Sequence, residues 1–230
     1  SVRALTYLSR PQHVSLELVM FRSGVWLDPE FIPAASRIHE HHIVIRNPWD
    51  SMIAGSIRLA SDADLALSPS VQEFSIAPRG EVRLPLSIVP QRGILAGHKT
   101  IKAEVTVNAD RLHTLAMQLD VEVGLKGIEL NATWAALFNP ATGVDDLIIS
   151  PAVTNHSSQI VTLDVDLLAE GVSQTRRTLA GLQPGQTQTR TFRIANGVAL
   201  LSNKQIRLGV AERDGVARLN KVITITPRRE

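Results

Sequence analysis

The sequence predicts an all-β chain built as two β-sandwiches in tandem. Three observations carry that expectation. Apolar residues alternate with polar ones along most of the chain, no segment offers a long helical pattern, and one order of strands and turns occurs twice. The first copy reads HHIVIRNPWDSMIAGSIRLA and then EFSIAPRGEVRLPLSIVP; the second reads AVTNHSSQIVTLDVDLLA and then LAGLQPGQTQTRTFRIAN. Each opens with a strand ending in Asn, Asn47 or Asn155, and about 30 residues later a Pro-containing turn launches another strand. The copies lie about a hundred residues apart, longer than a solenoid repeat, so each corresponds to a whole domain.

The elements follow in order. Val14, Leu16, Leu18 and Met20 alternate with Ser15 and Glu17, which predicts a first strand over 14–20. The stretch from Phe21 to Pro33, with Trp26, reads as a loop. Ile53–Leu59, Val82–Ile88, Ile101–Val107 and Leu115–Val123 each alternate between apolar and polar residues, as do Val161–Leu167 and Ile206–Val210 in the second half. Successive strand side chains point to opposite faces, so each of these has one buried and one wet face, the habit of antiparallel sheets. Pro85 interrupts an otherwise clean strand; it cannot donate to a ladder, so it belongs on an edge or facing away from the sheet. Ala195–Ser202 predicts a turn of helix. The boundary falls at Gly124-Leu125-Lys126-Gly127, giving domains 1–125 and 126–230 on a tether too short for free tumbling.

The chain has 230 residues, enough for two cores. Apolar residues make up 44% and charged residues 20%, a globular composition. Net charge is +2, and Lys and Arg are scattered apart from Arg176-Arg177 and Arg228-Arg229. Nucleic-acid binding needs clustered cations, so no nucleic-acid partner is expected. With no Cys there are no disulfides and no thiolate chemistry. No apolar run has the length of a membrane span. Ser1 at the start and PRRE at the end give the impression of a piece of a longer protein.

Candidate chemistry is sparse. His39, Glu40, His41 and His42 approach the zinc-protease pattern, but the position three after Glu40 is Ile43 and the segment is a strand. His39 and His41 share a face, so His39, His41 and His42 could hold a metal only if a neighbouring strand added a ligand; otherwise they form a polar strand end, and His41 and His42 are peripheral. The paired carboxylates Asp62/Asp64, Asp145/Asp146 and Asp164/Asp166 read as solvated groups. There is no Gly-x-Ser-x-Gly and no phosphate loop, so no catalytic residue and no cofactor is expected. Trp26 and Trp49 read as loop residues that could form a rim pair for a carbohydrate or other ligand, or fold back over the end of a sandwich; Trp134 reads as core.

The run from His41 to Val123, with IVIRNPWD, LALSPSVQEFSIAPRGEVRLPLSIVP and GHKTIKAEVTV, resembles the immunoglobulin-like domain associated with the sugar-binding module of bacterial alpha-galactosidases (the NPCBM-associated type), a likeness covering residues 37–123. Phe74-Ser75-Ile76-Ala77-Pro78-Arg79-Gly80 and Ile88-Val89-Pro90 carry it, with Arg79 inserted between the family's Pro and Gly; Gly97-His98-Lys99-Thr100 stands where the family has Gly, a hydroxyl residue and Tyr. Residues 128–226 are similar to cell-adhesion-type bacterial immunoglobulin-like domains through VTNHSSQ and LQPGQT. The resemblance implies two tandem immunoglobulin-like β-sandwiches and a non-catalytic spacer or interaction module of a larger secreted, periplasmic or cell-surface protein. Its partners would be other domains of that protein or a separate protein. The alternative is a carbohydrate- or ligand-binding module using Trp26 and Trp49.

Overall fold

The structure, a computed structural model, describes residues 16–226. Tyr7, Val14 and Ser15 lie outside the described residues. The first half contributes α1 (Leu16–Ser23), β1 (Val25–Asp28), β2 (Phe31–Pro33), β3 (His39–Arg46), β4 (Ile53–Ser61), β5 (Leu65–Ser68), β6 (Val71–Ile76), β7 (Glu81–Pro90), β8 (Gly97–Asn108) and β9 (Leu112–Gly124). One sheet has the order β1-β3-β7-β5 and the facing sheet β2-β9-β8-β4-β6. The second half contributes β10 (Ile128–Asn139), β11 (Val144–Asn155), β12 (Val161–Ala169), β13 (Val172–Leu182), β14 (Thr187–Thr189), β15 (Phe192–Ile194), α2 (Gly197–Leu201), β16 (Gln205–Glu212) and β17 (Arg218–Thr224). Here β10-β11-β14, with β15 also on β11, faces β13-β12-β16-β17.

In each half the opening strand (β1 or β10) and the strand that leads into the buried Asn (β3 or β11) share a sheet with a later strand (β7, or β14 and β15), while the next strand (β4 or β12) lies in the opposite sheet with the last two (β8 and β9, or β16 and β17). That is the strand order of an immunoglobulin-like sandwich, and the chain is two of them in tandem. Alternation explains the packing: β8 buries Ile101, Ala103, Val105 and Val107, and β12 buries Leu163, Val165 and Leu167. One apolar cluster runs from Phe21 to Val123 and a second from Leu125 to Ile225.

The amino-terminal segment departs from expectation. Residues 16–23 are helical and are not a strand. Leu18 and Phe21, three apart, turn to one side; Phe21 is fully buried, while Leu16, Val19 and Met20 are exposed. Leu, Glu, Met and Arg lose little rotamer freedom in a helix, and an alternating pattern this short fits either period. Gly24 follows the last turn, its N–H donating to the Phe21 carbonyl at 3.0 Å. The expected loop from Phe21 to Pro33 contains β1 and β2, whose three or four residues are too few to show a period. Pro85 sits opposite His42 of β3, and on its other flank β5 has ended at Ser68, opposite Ser87; the strand is interior further on and an edge at the proline.

The repeated asparagines explain the repeated grammar. Asn47 is 3% exposed, and its Oδ1 accepts from the Trp49 N–H at 2.9 Å. Its Nδ2 donates to the carbonyls of Ser51 (2.8 Å), Ala77 (2.9 Å) and Ile76 (3.2 Å). Asn155 is fully buried; its Oδ1 accepts from the Ser157 N–H at 2.9 Å, and its Nδ2 donates to Gln159 O at 2.7 Å and Leu182 O at 3.0 Å. Each side chain therefore closes the turn after its own strand and pins a carbonyl just before the Pro-containing turn. The backbone repeats the tie: Asn47 N–H donates to Gly80 O and Asn155 N–H to Gln186 O. Both Pro-containing turns need a left-handed residue, supplied by Arg79 (φ 56°) in the first and Gly185 (φ 75°) in the second.

Replacing either asparagine leaves several buried backbone groups unsatisfied. Asn47→Ala and Asn155→Ala should each lower unfolding free energy by about 2–4 kcal/mol in urea titrations. Asn47→Asp, which turns a carboxylate toward carbonyl oxygens, should be at least as damaging at neutral pH. A loss below about 1 kcal/mol for both alanine variants would show that the turns hold without these side chains.

Candidate functional site

The histidine run lies on β3, where alternation divides it. His39 and His41 turn inward with Ile43 and Ile45, and His42 turns to the other side. His39 Nε2–H donates to Ala35 O at 3.0 Å, and His41 Nδ1–H donates to Pro29 O at 2.9 Å. These rings tie β3 to the chain entering and leaving β2. His41 is 2% exposed, so its assignment as a peripheral strand end is corrected. Burial pushes its pKa below the ordinary histidine value of 6.5, against the opposing pull of the Pro29 carbonyl. The three imidazoles do not converge, and among the described residues no three His, Cys, Asp or Glu side chains are grouped to hold a metal.

The tryptophans separate as well. Trp49 is 9% exposed and belongs to the first core, 5.4 Å from the Phe21 ring and 6.4 Å from the His113 ring. Trp26 is a strand residue of β1, between the inward Val25 and Leu27; it is half-buried on the outer side with the Arg46 guanidinium 4.6 Å above it. One ring faces the core and the other is covered by a cation, so they do not form a shared rim. Trp134 is half-buried against the margin of the second core, on edge strand β10.

Two of the carboxylates read as solvated are buried. Asp146 is 1% exposed and accepts from Asn196 N–H (2.9 Å), Arg193 (2.7 Å) and Asn139 (3.2 Å), which hold its pKa below the usual carboxylate range, the Asn196 amide foremost. Asp166 is 3% exposed, bound by Arg176 Nε at 2.7 Å and by Arg218 Nη2. Alternation correctly puts Asp166 on the outer face of its sheet, but that face is covered by arginines from β13 and β17. Asp62 is exposed and Asp64 pairs with Lys99 at 2.7 Å.

Two features remain as candidates for binding. The first is the junction. Beyond the short link 125–127, Ala96 N–H donates to Asn220 O (2.9 Å), Asn220 Nδ2 to Ile94 O (3.1 Å) and Arg218 N–H to Ala34 O (3.2 Å), so loops of the first sandwich are fastened to β17. Clefts of about 630 and 620 Å³ flank this seam. Glu129 and His156, 2.8 Å apart, line the first as an exposed pair, and the imidazole is the main cause of Glu129's lowered pKa. The second feature is the open edge of β10. It pairs with β11 over its whole length, from Ile128↔Asn155 to Asn139↔Val144, and no other described strand flanks it. Lys221 Nζ donates to Leu130 O at 3.0 Å and covers only its start. Asn131–Asn139 carries no charge and no proline, and Leu137 and Phe138 are 47% and 63% exposed. In the first sandwich the parallel strand β2 covers the end of β9 (Phe31↔Glu122); β17, in the corresponding place, has no such strand among the described residues. No helix of the described residues is long and apolar enough to cross a membrane.

No family model and no curated protein matches this sequence. Among solved structures, the chain is similar to the CupB2 chaperone of Pseudomonas aeruginosa (13% identity, TM-score 0.29, covering 85% of this chain and 96% of that one). It is also similar to the YadV chaperone (10%, 0.31, 87% and 98%) and to red sea bream transglutaminase (7%, 0.34, 86% and 30%). Likeness at these values carries no argument about activity or partner; the sandwich assignment stands on strand order.

The buried His41 makes stability pH-dependent in a defined window. Its folded pKa lies below 6.5, so the folded state resists protonation more than the unfolded chain does. The stabilisation is complete above pH 6.5 and should be lost as pH falls from there through the lowered pKa. His41→Asn, which keeps a donor near the Pro29 carbonyl but does not titrate, should flatten the urea-midpoint profile between pH 6.5 and the carboxylate range. An unchanged slope would place the titration elsewhere.

Proposed function

We propose that this chain is a non-catalytic interaction module of a larger exported bacterial protein, two immunoglobulin-like units divided near residue 125 and held in a set orientation to present a binding edge. The open flank of β10 carries this reading. An edge with unpaired backbone groups, no lysine, no proline and exposed apolar side chains is a template for an added strand. Along its inner side Ala132, Trp134, Ala136 and Phe138 recur every second residue, and their exposure grows as the strand leaves the core. The partner that fits is an extended, uncharged apolar segment of another protein or domain, whose side chains would cover Trp134 and Phe138 while its backbone pairs with residues 131–139. The hydrogen bonds at the seam support a spacer role, since they fix how the edge is presented. Export, and the assignment of the first unit to the alpha-galactosidase-associated type and the second to the cell-adhesion type, rest on the sequence resemblance alone.

The test uses the protein with a panel of ten-residue apolar peptides. Binding should perturb backbone amide resonances of residues 131–139 and the edges beside them. Leu137→Lys and Ala135→Lys, both at exposed positions, should leave stability within about 0.5 kcal/mol and abolish binding. Binding that survives both substitutions, or perturbations confined to other strands, would overturn the reading.

A further inference from the structure

We propose that the second cleft at the junction binds a tetrahedral oxyanion, phosphate or a phosphate monoester, through Arg92, Arg207 and Arg218. The proposal is independent of strand docking at β10. The cleft, of about 620 Å³, lies between residues 34–36 and 92–93 of the first sandwich and the outer face of β12, β16 and β17. Its charged lining is Arg92, Asp166, Arg207 and Arg218, three cations and one anion. The anion is already committed. Asp166, its side chain 4% exposed, is bound by Arg218 and by Arg176 from β13. One carboxylate facing two guanidinium groups leaves positive charge in excess even before Arg92 and Arg207 are counted. Neither of those two side chains has a hydrogen-bond or ion-pair partner among the described residues.

The backbone is shaped to seat these groups. Arg218 lies flat across Gly209, where a Cβ would come within 2.6 Å of its Nε and Nη2. Arg207 lies against Gly93, where a Cβ would come within 2.9 Å of Nη1, and Gly93 has φ 79°, a conformation other residues rarely adopt. Strand register supports the placement: Gly209 sits between Asp166 of β12 and Asn220 of β17, and Arg207 is two residues along on the same face. Asn220 in turn binds Ile94 O, which holds the Arg92–Gly93 loop over this face. Arg92 of the first sandwich and Arg207 and Arg218 of the second therefore line one cleft whose single carboxylate is already paired. Arginine's planar fork suits phosphate oxygens, and Gln174, also in the lining, adds a neutral donor. An anion held there would bridge the sandwiches, because Arg92 belongs to the first and Arg207 and Arg218 to the second.

The experiment titrates the whole protein with inorganic phosphate and, separately, glycerol phosphate, against chloride at matched ionic strength, read by calorimetry and thermal melting. Saturable heat and a rise in melting temperature are expected with phosphate. Equal binding of the ester would identify phosphate monoesters as the source, and binding of inorganic phosphate alone would identify the free ion. Arg92→Gln and Arg207→Gln remove no intramolecular bond and should fold as the parent does, yet each should weaken binding about tenfold or more. Arg111→Gln, at an exposed position outside the cleft, should change nothing. No saturable response to either phosphate at matched ionic strength, citrate binding as tightly as phosphate, or full binding by both glutamine variants would each overturn the proposal.

Discussion

A buried asparagine where β3 and β11 end is the constraint on which the rest of each half depends. A sandwich must fold its chain back from one sheet to the other, and the polar backbone at that reversal has to be satisfied away from water. Asn47 and Asn155 do this with one side chain: the amide oxygen organises the turn that follows, and the amide nitrogen reaches carbonyls about 30 residues later. Because one group is bonded to both segments, the crossing between sheets and the launch of the next strand are set together. The alternating strands can then bring Ile101, Val105 and Val107, or Leu163, Val165 and Leu167, into register against the facing sheet.

The halves share this device but treat their edges differently. In the first sandwich the entering chain is broken into β1 and β2, one on each sheet, so the end of β9 is covered. His39 and His41 stabilise that break by bonding the carbonyls of Ala35 and Pro29. In the second, β10 stays on one sheet for twelve residues and has no corresponding tie. An uninterrupted strand leaves its own flank open, while the backbone of β17 is met by loops of the first sandwich at Arg218 and Asn220 and not by a strand. The difference between a closed and an open margin is thus local chemistry at one strand, in two units that otherwise follow the same plan.

Charge is distributed with the same asymmetry. Near neutrality overall, the chain gathers arginines on the outer face of β12, β16 and β17, beneath loops of the first sandwich. Asp166 anchors Arg218 among them together with Arg176 of the neighbouring β13, and the seam through Asn220 brings the Arg92 loop above this face. The fastening of the two sandwiches and the charged cleft are consequently one arrangement of residues.

The all-strand architecture, the duplication and the paired Asn turns were legible in the sequence, because side-chain alternation and turn chemistry are local properties. Residues 16–33 were not: an eight-residue helix and strands of three and four residues are shorter than the windows in which a period can be recognised. Alternation also told which face Asp166 occupies, but not what lies on that face, and it gave no face to Trp26, which reads as a loop residue. Arg176 comes from the neighbouring strand, Arg218 from 52 residues further on, and Arg46 reaches Trp26 from β3. Strand register and the docking of one sandwich on the other bring those partners together, and contacts between residues so distant in the chain leave no pattern in its order.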